Sequence, residues 1–272
     1  MSISIFRDLH RGPALLVLPN AWDAGTARLV ESLGAQAVAT TSAGVAWSHG
    51  YPDGNSLPSD QLVNVTRDIA RVIRVPLTVD IEGGYSNDPH AVAQLVAQLL
   101  AVGIAGINIE DGIESADLLC RKIAIIRDNA LRLGVDLFIN ARTDVYLRGL
   151  VSSEAAFDEC VGRGARYREA GADGLFVPGL RDPVAISTVA EAIGPMPLNI
   201  MALPNLPSIS ALQALGVRRL SAGSAIAQAA LGCAGRLASD FLAGNTNEMF
   251  GAAAEYGTLN ALFAQQARAM TG

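Results

Sequence analysis

The sequence predicts an α/β protein folded as a single (β/α)8 TIM barrel with extra C-terminal helices, and three observations carry that expectation. Short β-branched or apolar runs alternate with longer stretches of helical periodicity, the pattern of repeated βα units around a parallel sheet. Eight such runs can be counted, each followed by a helix. The rival doubly wound sheet needs a glycine-rich phosphate turn after its first strand, and LPNAWDAGT holds no GxGxxG.

In chain order the expected strands are ALLVLPN (14–20), AVATTSAG (37–44), PLTVDIEG (76–83), GINIED (106–111), LFINARTD (137–144), GLFVPG (174–179), PLNIMAL (197–203) and RRLSAG (218–223). Helices are expected over 22–33, 59–73, 89–102, 116–133, 154–170, 183–192, 208–215 and 225–243. Ser59 reads as an N-cap, and Asp88-Pro89 sets proline at a first helical position. Gly34, Gly103, Gly134, Gly171, Gly194 and Gly216 follow helical segments, where a left-handed residue closes the last turn. Residues 1–272 thus read as one domain, with 226–272 supplying C-terminal helices for contacts with a partner subunit.

Composition narrows the function classes. Half of the residues are hydrophobic, 17% are charged and the mean hydropathy is +0.31, yet no stretch of about 18 apolar residues is uninterrupted. Much surface must therefore be buried without a membrane span. MSISIFRDLHRG has no basic segment followed by an apolar stretch and cleavage site, so the expected location is cytoplasmic. A net charge of −6 without a basic cluster argues against nucleic acid or an anionic membrane as partner, and Arg218-Arg219 is only a pair. Cys120, Cys160 and Cys233 are too scattered for a disulfide framework or a zinc site and read as buried small hydrophobes. Lys122 is the only lysine and sits inside a helix, a poor position for Schiff-base chemistry.

The active end of such a barrel is the C-terminal end of its strands. Asp80 and Glu82 end the third run, Glu110 and Asp111 the fourth, Asn140, Arg142 and Asp144 the fifth, and the seventh gives Asn199. Residues i and i+2 of a strand share a face, so Asp80 and Glu82 are expected to project together, with Glu110 beside them. Three carboxylates in an apolar mouth repel unless a cation or protons compensate. Hard oxygen donors suit Mg²⁺ or Mn²⁺. Arg142 is placed to bind a substrate carboxylate as a fork, and Asp144 to pair with an arginine. Gly83-Gly84 read as a turn, His49 as a solvated loop residue, and His10 and His90 as residues without partners.

The ordered set TSAGVA with GYPDG downstream, VDIEGGYS, NIED, NARTD and LNIMA resembles the isocitrate lyase and phosphoenolpyruvate mutase superfamily over roughly residues 14–245. The resemblance implies a (β/α)8 barrel, often with the eighth helix swapped between protomers of a homodimer or homotetramer. It implies Mg²⁺ and a 2-oxo or 2-hydroxy carboxylate substrate whose C–C or P–C bond is broken. By this resemblance Asp80 is the direct magnesium ligand, and Glu82, where the family usually has aspartate, joins Glu110 and Asp53 in holding the ion's waters. Thr41, Ser42, Ala43 and Gly44 resemble the loop that binds the substrate's carboxylate and oxyanion, with Asp80, Arg142 and Asn199 as further contacts. Asp53, Glu110 and Arg142 are the catalytic set it implies. Lyases of the family carry a K-x-C-G-H segment after the fourth strand; here EDGIESADLL runs almost directly into a helix, with Cys120 inside it. Val177-Pro178-Gly179 stands where methylisocitrate lyases tend to have a glutamate. The leading expectation is an Mg²⁺-dependent enzyme that cleaves or decarboxylates a small 2-oxo acid through an enolate. The alternatives are P–C chemistry on a phosphonopyruvate-like substrate and a barrel that binds a 2-oxo acid without turnover.

Overall fold

In the computed structural model, which describes residues 2–251 and 253–270, nine parallel strands form a nearly closed barrel ringed by helices. Met1, Ala252, Thr271 and Gly272, parts of the expected 1–272 domain, lie outside the described residues. The ninth strand arises from a break in the first. The run expected over 14–20 is cut at Pro19 into β1 (Leu16–Leu18) and β2 (Asn20–Ala21), because proline has no N–H to give to a ladder. Then come β3 (Val38–Thr40), β4 (Leu77–Asp80), β5 (Gly106–Glu110), β6 (Phe138–Arg142), β7 (Gly174–Phe176), β8 (Leu198–Met201) and β9 (Val217–Ser221). β1 pairs with β9 and β2 with β3, so the break at Pro19 is the seam of the barrel.

The helices are α1 (Ser2–Arg11), α2 (Ala24–Ser32), α3 (Ser42–Ser48), α4 (Ser59–Val72), α5 (Pro89–Val102), α6 (Ala116–Arg132), α7 (Val145–Arg148), α8 (Ala156–Glu169), α9 (Pro183–Ile193), α10 (Ile209–Ala214), α11 (Ala225–Leu242), α12 (Glu248–Gly251) and α13 (Tyr256–Met270). All eight expected helices are present within about two residues of their expected ends, the usual scatter of a boundary. The Asp88 cap before Pro89 is also present. Four details differ. The run over 37–44 leaves the sheet after Thr40, and its TSAG turns into α3. Ser59 is the first residue of α4 and not its cap, the position before it being Pro58. Gly194 has φ −53 and precedes Pro195, so it closes α9 without the left-handed turn that the other five glycines make. Cys233 is exposed, unlike buried Cys160 and half-buried Cys120.

Parallel strands are covered on both faces. Val38, Val79, Ile107, Ile139, Leu175 and Leu198 pack outward against the helices, while Leu16, Leu18, Ala39 and Phe138 fill the lower interior. By alternation Asp80, Asn108, Glu110, Asn140 and Arg142 face the axis. α1 closes the bottom: Phe6 meets Phe138 edge-on at 5.4 Å, and His10 stacks on Phe138 at 4.1 Å. His10 is therefore buried and partnered, contrary to expectation, and its Nδ1 lies 2.8 Å from the Phe6 carbonyl.

The eighth helix of the ring, α11, buries only Ala227. Leu231, Phe241 and Leu242 are exposed on it, and Val17, on the outer face of the seam, is 44% exposed. Among the described residues no helix is long and apolar enough to cross a membrane.

Candidate active site

Asp80 ends β4 and is buried. Its Oδ2 accepts a hydrogen bond from Ser42 Oγ at 3.2 Å, its Oδ1 accepts from the Glu82 amide at 3.2 Å, and its own amide donates to Thr40 Oγ1 at 2.8 Å. Ser42, Ala43 and Gly44 form the first turn of α3, whose N-cap, Thr41, makes no side-chain bond to it. The amides of that turn are thus left for an acceptor at the barrel mouth. Gly44 is needed there, since a Cβ would lie 2.7 Å from Thr41 Cγ2 and 2.9 Å from Trp22 Cβ.

Glu82 reaches the mouth by another route than the expected one. The strand stops at Asp80, so the i, i+2 rule does not apply, and Ile81–Gly84 is a turn closed by the Gly84 amide on the Ile81 carbonyl at 2.7 Å. Glu82 takes φ +51 within it. Its Oε2 accepts from the Asn55 amide and its Oε1 from the Tyr85 hydroxyl at 3.0 Å, while the Tyr85 amide donates to Asn55 Oδ1 at 3.1 Å. Asn55, Glu82 and Tyr85 are three of the four non-glycine residues with left-handed backbone among the described residues. Such conformations are costly and gather at functional sites. The knot ties the loop of Asp53 to the mouth, and the exposed Asp53 acts electrostatically on both Asp80 and Glu82.

Glu110 and Asp111 diverge. Glu110 Oε2 pairs with Arg142 Nη1 at 2.6 Å, while Asp111 is held away from the mouth by Arg163 Nη1 at 2.8 Å, the Tyr167 hydroxyl at 2.6 Å and the Asp144 amide at 2.9 Å. Asp144 takes Arg142 Nε at 2.6 Å and Nη2 at 3.0 Å, and Arg148 Nε at 2.8 Å, the arginine pairing expected of it. The Arg142 fork thus faces Asp144. Three of its five N–H groups are engaged, and two are left for a ligand.

Burial pushes the carboxyl groups of Asp80, Glu82 and Glu110 upward. Arg142 pulls Asp80 and Glu110 back down, and the neighbouring acids raise all three. Against Asp53, Asp80, Glu82 and Glu110 stand Arg142 beside them and Arg219 buried below, which still leaves an excess of negative charge that a cation relieves. Among the described residues no three His, Cys, Asp or Glu side chains enclose a metal position by themselves.

Sequence reasoning named Asn199 as a substrate contact but missed its neighbour Arg219 and the reach of Lys122. Asn199 lies inside the barrel beside Arg219 in register, its Oδ1 accepting from Ser221 Oγ at 3.4 Å and its Nδ2 unpartnered. Arg219, fully buried, donates from Nη2 to Asn108 Oδ1 at 3.1 Å, while its Nε and Nη1 have no partner. The signal was available, since Arg219 and Ser221 share the inward parity of β9, but an arginine pair reads as surface. Lys122 reaches from α6 to the Gly83 carbonyl at 2.6 Å. With Asn55, Tyr85, Glu110 and Glu114 it lines a cleft of about 460 Å³ beside the mouth.

A family model described as phosphoenolpyruvate phosphomutase matches residues 6–242. Oxaloacetate decarboxylase of Pseudomonas aeruginosa is 31% identical over 224 residues, 75% of each chain. A candidate lyase/mutase of Burkholderia cenocepacia J2315 has a solved structure that superposes with a TM-score of 0.88 at 35% identity, covering 97% of this chain and 95% of that one. The structure of phosphonopyruvate hydrolase in complex with oxalate and Mg²⁺ superposes with a TM-score of 0.85 at 24% identity over 99% and 97% of the two chains, a likeness of fold.

Proposed function

Because the chain belongs to the phosphoenolpyruvate phosphomutase family, within the isocitrate lyase and phosphoenolpyruvate mutase superfamily, we propose that it is a magnesium-dependent enzyme that breaks a carbon–carbon bond of a small 2-oxo acid through an enolate. The observation that carries this reading is the set of buried Asp80 and Glu82 and half-buried Glu110, approached by Asp53 and countered at the mouth by Arg142. The names of two relatives support it: one decarboxylates oxaloacetate, and the other binds oxalate with Mg²⁺.

The donor set fits the ion. Mg²⁺ keeps several waters and takes one or two carboxylates, and Asp80, with the Glu82 amide on its Oδ1 and the Ser42 hydroxyl on its Oδ2, offers a hard oxygen donor of that kind. Asp80 would hold it directly, with Glu82, Glu110 and Asp53 on its waters, and when bound it supplies a Lewis acid for the oxo acid. The amides of Ser42 to Gly44 orient the substrate carboxylate, together with the two uncommitted N–H groups of Arg142. Asn199 lies deeper in the barrel, as a contact for the inner end of the ligand. Asp111 to Ser115, the whole segment between β5 and α6, has neither lysine nor cysteine, so the proton that finishes the reaction comes from water or from another group at the mouth.

Oxaloacetate incubated with the protein and Mg²⁺ is expected to yield pyruvate, and Asp80→Asn to lower kcat at least about a hundredfold. Equal turnover by the variant removes the metal role. Phosphate released from phosphonopyruvate, seen by phosphorus NMR while oxaloacetate stays intact, transfers the reading to P–C chemistry. Mg²⁺-dependent oxo-acid binding without turnover leaves a binding protein.

The exposed apolar side of α11 and the uncovered Val17 support an assembly in which α11 of one copy covers the seam of another, in a homodimer or a larger homo-oligomer.

A further inference from the structure

At the bottom of the barrel, opposite the mouth, a cleft of about 730 Å³ lies between α1 and the turns that lead into β7, β8 and β9. This face of a barrel ordinarily serves stability. A void of that size is within the range, about 300 to 1,000 Å³, of small-molecule sites.

Its charges are unbalanced. Arg7 lines it but is spent on Asp136 and Asp173, each at 2.7 Å. Arg11, Arg168 and Arg218 also line it, and none of them makes an ion pair among the described residues, although the protein is acidic overall. One unpaired acid, Glu191, stands against them. Three unpaired guanidinium groups against one unpaired carboxylate leave a positive excess at the opening that an anion can answer.

The wall is of a different kind. Behind it His10 and Phe138 stack at 4.1 Å and are almost wholly buried, and the apolar surface that a ligand meets is that of Pro195, Pro197 and Leu215. His10 is 3% exposed, and its Nδ1 donates to the Phe6 carbonyl, so Nε2 is an acceptor with no partner. Burial and the nearby Arg219 and Arg7 charges keep the ring neutral, its pKa pushed down to about 3.

We propose that this cleft binds a small organic anion, its carboxylate, phosphate or sulfonate group held by Arg11, Arg168 and Arg218 and its flat apolar body lying against Pro195, Pro197 and Leu215. The proposal is independent of the reaction at the mouth.

Anilinonaphthalene sulfonate, an anion with a flat apolar body, is the probe, titrated into the full-length protein and followed by its fluorescence. Saturable binding of one equivalent is expected, weakened about tenfold or more in Arg168→Gln/Arg218→Gln, a change of about 1.4 kcal/mol. Raising NaCl from about 50 mM to about 500 mM should weaken it too, because screening acts on exposed charges. Arg67→Gln, an exposed arginine on α4, should bind as wild type does. Non-saturable binding, or arginine variants that bind as tightly as wild type, overturns the proposal. If thermal melting shows that the double variant is unfolded, Arg11→Gln decides, since its exposed side chain makes no contact the fold needs.

Discussion

Glu110 and Asp111 stand side by side in the sequence and face opposite ways in the fold. Asp111 is the buried end of a pair with Arg163, so Asp111→Asn is expected to cost about 3 kcal/mol in urea unfolding. Glu110→Gln also loses a pair, but Arg142 keeps Asp144 and the crowded acids lose a like charge, so the unfolding midpoint should move less than in Asp111→Asn while turnover falls. His10 gives a pH signature. Its folded pKa lies near 3 against 6.5 for the free group, so between those values the unfolded chain binds a proton that the folded one does not. Stability is complete above pH 6.5 and is lost as pH falls toward 3, by at most about 1.4 kcal/mol per pH unit from this residue. The acid-side slope of urea-derived stability in His10→Phe should be smaller by that one proton; an unchanged slope contradicts the burial of a neutral ring. The positions of Asp80 and Glu110 at the mouth were legible because strand-end parity exposes them. The orientation of Glu82 was not, since a left-handed glutamate inside a turn leaves no mark in the residue types. Arg219 was hidden by its neighbour, because two adjacent arginines look solvated when only one is.

At the scale of elements, periodicity located the helices that cover the barrel, because an apolar stripe is what each must bury. It said nothing of α1, which plugs the bottom with a few residues, or of α3, whose small residues TSAG suit a strand end and a helix start equally well. The break at Pro19 was visible as a proline but not as a seam, since which strand receives each half depends on closure. α11 has a sharper consequence. Leu231→Glu/Phe241→Glu places charge on its exposed apolar side, and sedimentation is expected to show a smaller assembly than the wild type with helix content unchanged. An unchanged mass means that α11 covers no second copy.

For the whole molecule, the count of eight βα units was enough to predict the architecture, and its closure sets an order of events. Leu16 to Leu18 pair with Arg219 to Ser221, so the first strand meets the last. Contacts so far apart in sequence slow folding. Trp22, just past the seam, is expected to reach native fluorescence in the slowest refolding phase in a Trp47→Phe background; recovery in the earliest phase would mean that the seam zips first. During synthesis at about 5 to 20 residues per second, β1 waits roughly 10 to 40 s for β9 to emerge. Until then the inner face of Leu16 and Leu18, and the Phe6 that will cap it, have no lid. Until β9 emerges the nascent chain is an open sheet with two unsatisfied edges, the form in which it is most exposed to aggregation and most in need of a chaperone.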